Sequence, residues 1–171
     1  MGTNVNAKRF CRDPRVTAQR LLWSSQMSEN IEALKSLHTA LIDSRNGYEE
    51  ALEDADGKGL TSLFREMISI HTDSADALTQ LLAGYGERSD DNGSFMSTVH
   101  RTVIRIRSLF GNLDSSILPG LIDGEERILS YYDEAISASS LGSSERTTLV
   151  TQRQTLDRKI SDMKRQIEVA A

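Results

Sequence analysis

The chain has 171 residues, of which 38% are hydrophobic and 26% charged. That is the mix of one soluble globular domain, not of a disordered tract or a membrane protein. Aromatics stand at 5%, so the core has to be aliphatic, and two prolines, Pro14 and Pro119, leave room for long uninterrupted helices.

Cys11 is the lone cysteine, which excludes an internal disulfide and a cysteine-based metal cage and suits a reducing, cytoplasmic setting. No run reaches the roughly 20 apolar residues of a membrane span. The net charge of -5 is unevenly placed. Residues 1–27 carry Lys8, Arg9, Arg12, Arg15 and Arg20 against Asp13, and the rest of the chain is strongly acidic. An acidic body is a poor nonspecific nucleic-acid binder, because phosphate neutralisation needs a basic surface. The basic stretch reads as a disordered leader, or as sequence upstream of a start at Met27, in preference to a phosphate- or membrane-contacting arm or an organellar presequence.

From Ser28 the pattern is helical. Ser28 is placed to cap, with Glu29 and Glu32 in the first turn, and Ile31, Leu34, His38, Leu41, Arg45, Tyr48, Leu52 and Ala55 form one stripe. Asp56-Gly57-Lys58-Gly59 breaks it. A second helix is expected from Leu60 to Ala83 on the seam Leu60, Phe64, Met67, His71, Ala75, Leu78 and Leu82, closed by Gly84-Tyr85-Gly86. A shorter basic helix is expected from Phe95 to Phe110, with Arg101, Arg105 and Arg107. Another starts near Ser116, with Pro119 in its first turn and the stripe Leu118, Leu121, Glu125, Ile128, Tyr132 and Ala135. The last is expected to be capped by Ser144, with Leu149, Arg153, Leu156, Ile160, Met163 and Ile167 inward.

Four long helices with one apolar stripe each imply an all-α four-helix bundle over residues 28–168. Short loops make the first two helices antiparallel neighbours, and likewise the last two. The long link between these pairs implies a crossover that contains the basic helix.

Asp43 followed by Gly47-Tyr48, Leu63-Phe64, Val99-His100-Arg101, Gly124-Glu125-Glu126 with Tyr132, and Gln152-x-Gln154 occur in this order along the chain. The stretch from Leu37 to about Lys164 that holds them resembles the domain of unknown function 2383 family, a bacterial group placed with the ferritin-like bundles. The resemblance implies the ferritin-like fold and raises the question of a metal centre; the family's own function is not established.

A carboxylate di-iron centre takes a glutamate from each of two helices and Glu-x-x-His from each of the other two. Here Lys35, Ile68 and Ser97 stand three residues before His38, His71 and His100, so the motif is missing. The last helix has no histidine, and Ile160 stands where the resemblance to that family implies one. What faces inward is a polar set drawn from all four long helices: His38, Arg45, Tyr48, His71, Glu125 and Arg153. One reading is a degenerate metal site at His71 and Glu125 for iron or another divalent ion. The other, which the two arginines favour, is a buried network in which Glu125 pairs with Arg45 or Arg153 and fixes helix register. Tyr48 and Tyr132 read as packing residues with bonded hydroxyls. A P-loop and a G-x-S-x-G elbow are both missing.

The expected function is therefore that of a non-catalytic interaction or assembly protein without a cofactor, self-associating or binding a protein partner, with neither nucleic acid nor membrane as target. Ile42, Ile68, Ile104 and Ile122, off the main stripes, motivate it as apolar groups left partly exposed in a monomer. A ferritin-like metal-binding or redox protein is the alternative.

Overall fold

The computed structural model describes residues 14–54, 59–89, 117–137 and 141–170. They form four α-helices: α1 Pro14–Asp54, α2 Thr61–Gly84, α3 Leu118–Ser137 and α4 Ser143–Ala170. No strand occurs among the described residues. The expected basic helix from Phe95 to Phe110 lies outside them. No helix among them is long and apolar enough to cross a membrane.

Two helix starts differ from expectation. α1 begins at Pro14 and runs through Ser28. Pro14 suits a first turn, where a missing N–H leaves no bond unmade, so Ser28 followed by acidic residues is a capping signature inside a helix. α4 begins at Ser143, one residue before the expected cap at Ser144. The Gly142 backbone N–H donates to the Glu145 carboxylate at 2.5 Å, the backward arm of a capping box. The C-terminus of α2 follows the expected glycine stop. Gly86 has φ +78°, its N–H bonds to Ala83 O and the Glu87 N–H bonds to Leu82 O, both at 3.0 Å. This left-handed closure is open to glycine at little cost.

Cross-helix pairs give the directions. Along α1, Lys35, His38 and Ser44 meet Glu87 just past α2 and then Thr79 and His71 on α2, in descending order. Along α4, Glu145, Gln152 and Lys159 meet Tyr85, Ser74 and Glu66. Arg146, Arg153 and Lys164 on the same helix meet Ile136, Asp133 and Glu126 on α3. Each of these pairings is antiparallel, so α2 and α3 run in the same direction, and α2 ends where α3 also ends. α1 packs on α2 and α3, and α4 packs on the same two, closing a four-sided bundle.

The core is mainly aliphatic, with Phe64, Tyr48 and Tyr132 among Leu34, Leu37 and Leu41 from α1, Met67, Leu78 and Leu82 from α2, Leu121 and Ile128 from α3, and Leu149, Leu156, Ile160 and Met163 from α4. The stripes of α2 and α3 are buried throughout. α1 buries a wider face than expected, adding Asn30, Leu37, Ile42 and Ala51. Ile42 and Ile122, expected at the surface, are 3% and 6% exposed, because each neighbours its helix's stripe on the side where the next helix packs. Ile68 is half-buried, and Ile104 lies outside the described residues.

Candidate functional site

Three helices converge on one carboxylate. Glu125 stands in the middle of α3 and is 2% exposed. Its Oε1 accepts the Tyr48 hydroxyl at 2.8 Å and the Ser44 hydroxyl at 3.1 Å, both from α1. The same oxygen lies 3.2 Å from Nε2 of His71 on α2, and His71 is wholly buried. Ser44 Oγ in turn lies 3.2 Å from His71 Nε2. The positions follow from helical spacing: Ser44 and Tyr48 are one turn apart on one face of α1. The Tyr48 ring stacks on the His71 ring, centroids 5.8 Å apart and planes within 20°, and tilts against Phe64 at 5.7 Å.

Burial lifts the Tyr48 phenol well above its ordinary range, and the charge and hydrogen bond of Glu125 raise it further, so Tyr48 remains a proton-bearing donor. Burial also lifts Tyr132, one layer along α3, to about 12. Its hydroxyl makes a long 3.4 Å contact to Gln152 of α4, whose amide reaches Ser74 O of α2. Two buried atoms of the cluster, Glu125 Oε2 and His71 Nδ1, have no hydrogen-bond partner.

The structure brings His71, Glu125 and Tyr48 together and separates the other inward candidates from them. His38, 1% exposed, bonds through Nε2 to Thr79 Oγ1 at 3.0 Å. Arg45 is half-buried and reaches Asn46 Oδ1 and, at 3.8 Å, Glu49. Arg153 forms a two-pronged pair with Asp133 on the outer side of α3 and α4, at 2.6 and 3.0 Å. The expected pairing of Glu125 with Arg45 or Arg153 is thus not made. A long side chain on a seam position can carry its guanidinium outward while its stem packs inward. Among the described residues no lysine or arginine pairs with Glu125. Ser44 was missed by sequence reasoning because it is polar and lies beside the apolar stripe; its spacing of four from Tyr48 was the available signal.

The dinuclear ligand set of ferritin-like proteins does not fit these residues. Among the described residues no group of three or more His, Cys, Asp or Glu side chains stands close enough to hold a metal ion.

The family described as "Domain of unknown function (DUF2383)" matches residues 29–138. The chain belongs to this family. The matched stretch holds Ser44, Tyr48, His71 and Glu125 and stops before α4, so the DUF2383 likeness covers the three helices that build the cluster. No match to the chain was found among curated proteins or among solved structures.

Proposed function

We propose that this DUF2383 chain is a ferritin-like helical bundle acting in the bacterial cytoplasm as a non-catalytic interaction or assembly protein, its buried polar cluster holding helix register. The observation that carries the non-catalytic reading is the closure of the cluster. Tyr48, His71 and Glu125 are 5%, 0% and 2% exposed, so a substrate could reach them only by parting packed helices. The ferritin-like assignment is supported by the parallel course of α2 and α3 between two antiparallel pairs, an arrangement that calls for one long crossover.

Assembly is supported by the length of α1. Its 41 residues span about 60 Å, against about 36 Å for the 24 of α2. The Lys35–Glu87 pair lies just past the end of α2, and the helix from Pro14 to Met27 extends beyond it. A helix in water is held mostly by tertiary packing, and a second copy or a protein partner is one source of it along this length. Sedimentation velocity of the full chain over a wide concentration range tests the homo-oligomer. Sedimentation coefficients that rise with concentration are expected; a monomer at every concentration would count against self-association.

A metal-binding reading is favoured by a separate observation. Arg45 and Arg153, which would repel a cation, point away from Glu125.

A further inference from the structure

Between Ala33 and Tyr48, α1 has no exposed residue. α2 and α3 account for the side that carries Leu34, Leu41 and Tyr48. Ser36, Ala40, Asp43 and Glu50 follow one another at intervals of four, three and seven, which sets them in one line on the opposite side of the helix. They too are half-buried, and Asp43 Oδ1 is a buried oxygen. The other helices keep open outer faces, with Asp73 and Gln80 exposed on α2, Arg127 and Glu134 on α3, and Thr151 and Arg158 on α4. A part of this chain outside the four helices therefore covers α1 on the side away from the core.

The extent of the cover says which part. Glu29 and Glu32, on the same line two turns and one turn before Ser36, are exposed. The cover thus starts where the chain leaves α2, since Lys35 pairs with Glu87. It continues to Glu50, towards the level at which α3 begins, since Tyr48 meets Glu125 in the second turn of α3. Residues 90–116 join these two points. Even coiled throughout they would reach about 40 Å, against about 36 Å for the length of α2. Residues 1–13 would reach about 44 Å fully extended, short of Glu50 at about 54 Å along α1 from Pro14. The chemistry agrees. Residues 95–110 hold Arg101, Arg105 and Arg107 with no acid, and a carboxylate oxygen taken from water calls for such a donor. Ser36 and Ala40 are small enough for close approach, and Val99, Val103, Ile106 and Phe110 supply apolar groups to lay against them.

We infer that residues 90–116 dock along the outer face of α1, with Asp43 receiving Arg101 or Arg105. This closes the middle of α1 to any partner and leaves self-association to the stretch before Ala33 and to the other helices. It goes beyond the assembly reading and does not depend on it.

The test is thiol labelling of the full chain in a Cys11→Ser background, so that one introduced cysteine is the sole thiol. Ala40→Cys should react about tenfold or more slowly than Ser69→Cys on the exposed face of α2. Adding Val103→Asp and Ile106→Asp should bring Ala40→Cys to the rate of Ser69→Cys and leave Ser69→Cys unmoved, with circular dichroism as the check on folding. An Ala40→Cys rate equal to that of Ser69→Cys from the outset, or one unmoved by the two aspartates, would overturn the inference. Should the aspartate pair unfold the bundle, Arg101→Gln with Arg105→Gln decides: acceleration confined to Ala40→Cys supports docking, and an unchanged rate overturns it. Sedimentation of the native chain reads self-association separately.

Discussion

Glu125 Oε1 receives two hydroxyls and faces an imidazole nitrogen, all within 3.2 Å, in a region sealed from solvent. Hydrogen bonds to a charged acceptor contribute more than neutral ones, and removing one partner leaves the other group under-satisfied. Tyr48→Phe keeps the ring packing on Phe64 and His71 and deletes one donor, so it should cost about 1–3 kcal/mol in chemical denaturation. His71, Glu125, Tyr48 and His38 were legible as inward residues because three- and four-residue spacing places side chains on a common face. The pairing among them was not. Spacing locates Cβ atoms, whereas the outward turn of Arg45 and Arg153 depends on long stems and on acids and amides supplied by neighbouring helices.

At the scale of the helix, ends were harder to read than faces. A serine followed by glutamates marks a helix start only where the chain before it is not helical, and at Ser28 it is. At α4 the capping partner is Glu145, which also accepts the Tyr85 hydroxyl at 2.8 Å and so ties the start of α4 to the end of α2. Glu145→Ala should cost about 1 kcal/mol, the usual loss for a helix cap. Burial, followed by the hydrogen bond and charge of Glu145, pushes Tyr85 up to about 12. A phenol whose pKa is raised by folding contributes stability in full below its unfolded value near 10 and loses it as pH climbs towards 12. The stability difference between the native chain and Tyr85→Phe should accordingly be flat from pH 7 to about 10 and shrink above it, as followed by urea denaturation at stepped pH. A difference that grows with alkaline pH would contradict the assignment.

For the whole molecule, the class, the four long helices and the two antiparallel pairs were legible, since each follows from periodicity and loop length. The width of the buried face on α1 was not. A narrow stripe serves a helix with one neighbour, but α1 packs against both α2 and α3, and Leu37, Ile42 and Ala51 are drawn inside beside the expected residues. The same geometry removes Ile42 and Ile122 from the surface, and any assembly has to use other groups. Leu156, 1% exposed and facing the interior from α4, should lose about 2–5 kcal/mol on change to Ala, read as a lowered urea midpoint with an unchanged slope.

The account turns on α1 and α3 meeting through Tyr48 and Glu125, and a double-mutant cycle of Tyr48→Phe and Glu125→Met, a change of similar length that leaves no oxygen to accept, measures that meeting. The two single changes and the pair, compared by urea denaturation, should show a coupling of about 1.5–3 kcal/mol, as for a hydrogen bond to a charged group. Effects that add to within about 0.5 kcal/mol would mean that the two side chains do not interact, and the polar centre described here would be wrong.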